Sequence, residues 1–135
     1  MKENLLQLLE NSRTYTQRVA DAMPETKYET RPADGIWNFR ELLSHLAYGI
    51  TWWESNSVKG VKADWNPPEP EKTPKAAKQA VNKAYDLLKE TVTKAKEDDQ
   101  LFNGFHATLD HITHHRGQAT IYLRSQGIAP PDYMY

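Results

Sequence analysis

Five histidines and no cysteine set the chemistry open to this chain. Without thiolates, a bound metal ion has imidazole and carboxylate as its side-chain ligands, and neither a disulfide nor a thiol nucleophile is possible. His111 and His115 stand four residues apart. On a helix that spacing puts them about 40° apart and one turn above the other, so both imidazoles can reach one ion. The same arc carries Thr108, Ile112, Ala119 and Tyr122, with Leu123 at its edge, which places the pair on the apolar side. His114 points toward the side of Asp110 and Gly117, and His106 toward that of Thr113, Thr120 and Arg124; both read as solvated. His45 flanks the apolar stripe of an earlier segment beside Gly49, where a missing side chain leaves room for a metal centre. Spacing leaves two readings open. One is a three-nitrogen site of His45, His111 and His115 with positions left for water or substrate. The other is a set of partly buried histidines that hydrogen-bond within the fold and ligate nothing.

Other site chemistries lack their residues. A zincin helix needs glutamate directly after its first histidine, and Ile112 stands there. No Ser-His-Asp arrangement, glycine-rich phosphate loop or nucleophile elbow is present. The 17 basic and 18 acidic residues are spread along the chain and sum to a net charge of -1, which gives no electrostatic basis for nucleic acid or an anionic membrane as partner. No run is long and apolar enough to span a bilayer, and Met1 to Asn4 lead directly into an amphipathic pattern, so a cytoplasmic location is expected.

Helices must position these groups. The 135 residues, 39% hydrophobic and 26% charged, suit a single domain over residues 1–135 with a real core. A first helix is expected from Lys2 to Met23 on Leu5, Leu8, Leu9, Val19 and Ala20, closed by Pro24. A second starts at Asn38, with Glu41 resembling the return arm of a capping box, and runs to Lys59 before Gly60. The segment 61–72, with Pro67, Pro68 and Pro70, reads as irregular connection. Thr73-Pro74 opens a third helix that ends near the acidic Glu97-Asp98-Asp99. A fourth is expected from Thr108 to Gln126, stopped by Gly127. No stretch alternates with the period of a strand. The fold class expected is all-α, a four-helix bundle.

Two stretches carry a family resemblance: Trp37-Asn38-Phe39-Arg40-Glu41-Leu42-Leu43-Ser44-His45-Leu46, and His111-Ile112-Thr113-His114-His115-Arg116-Gly117-Gln118 followed by Leu123-Arg124 and Gly127-Ile128-Ala129-Pro130-Pro131-Asp132-Tyr133. Together, in this order and separation, they resemble the signatures of the DinB/YfiT-like metalloenzymes. The resemblance implies a four-helix bundle whose metal triad maps onto His45, His111 and His115. It implies a divalent metal ion, with zinc and nickel the leading candidates, and a small-molecule substrate. Some relatives are thiol-dependent transferases or isomerases and others are amidohydrolase-like, so a metal-dependent thiol S-transferase or hydrolase is expected, against a non-catalytic metal-binding stress-response protein. Relatives often pair, and Tyr48 with the tail Tyr133-Met134-Tyr135 offers apolar surface outside the core, so a homodimer is expected.

No general base stands out. Asp110 and Glu41 read as facing away from the histidines. Gln118 lies close to the histidine face and is open to a ligand or a neighbouring helix. Arg116 reads as pairing with a carboxylate inside the bundle. Trp53 is expected in the core, and Trp52 as a pocket wall.

Overall fold

The computed structural model describes all 135 residues. It is built from four helices and no strand: α1 (Lys2–Ala22), α2 (Phe39–Trp53), α3 (Pro74–Lys94) and α4 (Asp99–Ser125). The apolar stripe of α1 buries Leu5, Leu9, Val19 and Ala20. Ser12, Tyr15 and Thr16 continue it, because the Ser12 and Thr16 hydroxyls each lie 2.9 Å from the phenol oxygen of fully buried Tyr85 on α3. α1 stops where Met23 turns extended ahead of Pro24, as the residue before a proline prefers. Tyr28, completely buried, then donates its hydroxyl to Ala20 O at 2.7 Å and ties the following loop to the end of α1.

Asn38 caps α2 by accepting from the Glu41 amide at 2.8 Å. The Glu41 carboxylate does not return to the cap. It pairs with Arg31 at 2.9 Å, so half of the expected capping box forms. Past Trp53 the helix widens into a π-helical turn over Glu54–Val58, where a regular α-helix to Lys59 was expected. The buried Glu54 carboxylate holds this turn through Thr91 Oγ1 at 2.6 Å and Lys59 Nζ at 2.7 Å, and Gly60 ends it at a φ of 69°.

Thr73 caps α3 and Pro74 occupies its first position, as the sequence indicates. The acidic run has a different role from the one expected. α3 stops at Lys94, and Asp98 accepts from the Leu101 amide at 3.0 Å as the cap of α4. Acidic groups favour a helix N-terminus, so α4 begins nine residues before Thr108. Its far end has Ile128 N bonded to Leu123 O and Gly127 N to Arg124 O, a Schellman stop with Gly127 at a φ of 71°.

Contacts define the topology. α1 packs antiparallel to α3, with Arg13 on Asp86 and Lys89 on Glu10. α2 runs parallel to α3, joined near their starts by Arg40 and Glu71 and near their ends by Glu54 and Thr91. The connection 59–73 must therefore travel back along the bundle. α4 lies antiparallel to α2, which brings two helices distant in sequence face to face. No helix is long and apolar enough to cross a membrane.

Gly104 is where α4 meets the π-helical turn. A Cβ there would lie 2.2 Å from the Ser57 carbonyl oxygen, which is main chain and has no rotamer to retreat into. Gly104→Ala is expected to destabilise by about 1–3 kcal/mol, overpacking outweighing the ~1 kcal/mol that alanine adds in helix propensity. Urea denaturation checks the sign.

Candidate metal centre

The α2–α4 seam carries the histidines. His45 on α2 and His111 and His115 on α4 each offer one nitrogen, and the three lie within 4.8 Å of one another. The Nε2 atoms of His45 and His115 are 3.0 Å apart, close to the ~3.3 Å between neighbouring ligands around a tetrahedral zinc with bonds of about 2.0 Å. His111 Nε2 is the single buried side-chain nitrogen or oxygen without a hydrogen-bond partner. Leaving such a group unpaired is costly, and a bound cation would supply the missing partner. Its ring fits because residue 49 is glycine: a Cβ there would sit 1.9 Å from His111 Nε2.

Gln118 completes the arrangement. Its Oε1 accepts from Nδ1–H of His115 at 2.8 Å, which leaves the lone pair on Nε2, the atom turned toward His45. Gln118, which the sequence left open to a ligand or a neighbouring helix, bonds instead to His115 on its own helix. His114 is exposed, its single side-chain hydrogen-bond partner is Gln118 at 3.4 Å, and its ring meets His115 edge-on from outside the cluster. His106 packs its ring against Phe102 and Phe105, partly buried rather than solvated, and is outside the cluster.

All four tryptophans gather around this seam. Trp37 lies on the His45 ring with centroids 4.3 Å apart and is 6.3 Å from His115. Trp65, from the long connection, is 5.5 Å from His45, and Trp53 is 6.2 Å from His111. Trp52 bridges Trp53 and Trp65 at 5.2 and 5.5 Å. Trp53 is thus half-buried beside the site instead of in the core. Trp65, like Trp52 a pocket-lining candidate in the sequence, and Trp37 both lie outside the helices, so helical spacing does not connect either of them with the histidines.

Two more expectations change. Arg116 is buried but meets no carboxylate: its guanidinium lies over the Tyr15 ring at 4.7 Å and donates to Ser12 Oγ at 3.3 Å, since it projects to the α1 side of α4. Glu41 does not face away; it lines the same cavity as His45, with its charge taken up by Arg31. Tyr48 is covered by Trp65 and accepts from the Asn66 amide. The tail folds back along the bundle, Tyr133 against Tyr15, although Tyr133 and Tyr135 stay 64% and 83% exposed.

Burial, joined by the neighbouring His115, depresses His45 to a pKa of about 4. Burial and the other histidines do the same to His111, and burial lowers His115. All three imidazoles are therefore neutral at pH 7, the form a metal requires. The metal-free protein should lose stability as pH falls from about 6.5 toward 4, because across that window the unfolded chain binds protons that the folded one refuses. The loss appears as a falling Tm by circular dichroism, and His45→Asn with His111→Asn should flatten it.

A four-helix bundle with a trihistidine cluster on one seam is the class that fold and site define. Residues 8–119 match the DinB superfamily, and the chain belongs to that family. A crystal structure of a DinB-like protein from Bacillus cereus ATCC 10987 superposes with a TM-score of 0.79, over 97% of this chain and 96% of that one, at 18% identity. The comparison with curated proteins finds no match.

Proposed function

We propose that this chain binds one divalent metal ion through His45, His111 and His115 and acts as a metal-dependent enzyme on a small molecule, as a thiol S-transferase or a hydrolase. The observation that carries the reading is the buried, partnerless Nε2 of His111 beside two further imidazole nitrogens. Three neutral ligands leave a bound ion its full charge, which lowers the pKa of a coordinated thiol or water. The chain's own residues supply orientation: Gln118 fixes the His115 tautomer, Gly49 makes space for His111, and Trp37 and Trp65 shield His45 from bulk water. Glu41 is neutralised by Arg31 and the cluster contains no carboxylate, so no free general base stands at the site. A coordinated thiol and a coordinated water can both ionise without one, so this feature fits either reaction. A chain without cysteine takes its thiol from a cosubstrate.

Zinc- and nickel-loaded protein, assayed with low-molecular-weight thiols and an electrophile, tests the proposal. Turnover should need metal and thiol together and stop on chelation. Turnover with metal but indifferent to thiol would move the reaction to hydrolysis. Stoichiometric metal without turnover on either substrate class would leave a non-catalytic metal-binding protein. We further propose a homodimer, supported by the exposed Tyr133 and Tyr135, for which light scattering should give twice the 15.6 kDa monomer mass.

A further inference from the structure

A cavity of about 530 Å³, in the size range of small-molecule sites, lies between α2, α3 and the 59–73 connection. His45 and Trp37 are the wall that it shares with the histidine cluster. Small residues line it from both helices, Ala47 on α2 and Ala80 and Ala84 on α3. Pro67, Pro68 and Pro70 make its roof, and prolines have no N–H to donate. The polar groups inside are already engaged. Ser44 donates to Arg40 O and accepts from the Glu71 amide, Thr51 donates to Tyr48 O, and Glu41 is held by Arg31. Unpaired charge is confined to the exposed rim, where the carboxylates of Glu69 and Glu71 outnumber the ammonium of Lys83. Such a chamber offers shape and apolar surface, with a rim that repels anions.

We propose that this cavity receives the apolar body, neutral or cationic, of a small molecule whose metal-seeking head group sits on the His45 side of the trihistidine cluster. The inference rests on the metal reading above. A molecule placed this way would have its reactive end at the ligands and its hydrocarbon portion between Ala47 and the prolines.

Three hydroxamates with one common head group test this on zinc-loaded protein by calorimetry. The phenylbutyl hydroxamate should bind about tenfold or more tightly than acetohydroxamate, as expected for burying a ring, while a chain of equal length ending in carboxylate should gain nothing. Ala80→Trp should remove the gain and leave acetohydroxamate binding unchanged. Reversing the rim with Glu69→Lys and Glu71→Lys should let the carboxylate-ended probe gain affinity. Equal affinity for acetohydroxamate and the phenylbutyl probe would overturn the subsite, whereas no binding of acetohydroxamate would overturn the metal reading instead. A second titration needs no metal: phenylbutylamine should shift the methyl resonances of Ala47, Ala80 and Ala84 by NMR, and unmoved resonances would sink the subsite whatever the metal does.

Discussion

His45→Ala, His111→Ala and His115→Ala should each weaken metal binding by at least about a hundredfold, while His106→Ala and His114→Ala leave it intact. Loss of an outer-shell partner alone typically costs 10–100-fold, and each of these substitutions would remove a proposed ligand itself. The separation between the two groups is geometric. Three nitrogens converge within 4.8 Å from two helices, whereas His106 meets two phenylalanine rings edge-on and His114 is exposed. Competition titration with a chromophoric chelator measures all five variants. Unchanged affinity in any of the three would remove that histidine from the site. Fold should survive in every case, because the 26-residue apolar core contains none of these side chains.

The second large effect is expected at a residue with no side chain. In Gly49→Ala the new methyl would occupy the position of the His111 imidazole, 1.9 Å from its Nε2. The ring end can swing away, unlike the carbonyl that confronts residue 104, so the fold adapts and alanine adds up to ~1 kcal/mol of helix propensity. The proposed metal site cannot adapt, because the displaced ring would be one of its three ligands. Stability that is level or improved, together with metal affinity reduced by about a hundredfold, is the expected pair of results. Denaturation and the same chelator titration read them. Equal loss of both would mean that residue 49 is a packing position, and affinity left intact would mean that His111 ligates from elsewhere.

Helix periodicity carried the reading of the sequence a long way. Three helix starts and the proline-rich connection follow from caps and spacing, whereas spacing left the histidine set open and the family resemblance singled out His45, His111 and His115. The beginning of α4 did not follow from caps and spacing, since Gly104 and the polar residues around it interrupt the apolar pattern, and the acidic run looks like a helix end until Asp98 is seen as a cap. Arg116 shows a different limit. A buried arginine invites a carboxylate partner, and only the three-dimensional arrangement reveals tyrosine rings and a serine in that role. The loop tryptophans, brought in by tertiary folding, have no periodic signature at all.

With every indole packed around one seam, the chain's tryptophan emission, excited selectively over its seven tyrosines, is an optical readout of that seam. An open-shell ion such as copper(II) or nickel(II) held between His45 and His115 would sit within a few ångströms of the Trp37 ring and should quench most of the light. Zinc, with its filled d shell, should shift the spectrum without darkening it. A single cuvette would then separate the metals that imidazole chemistry accepts alike.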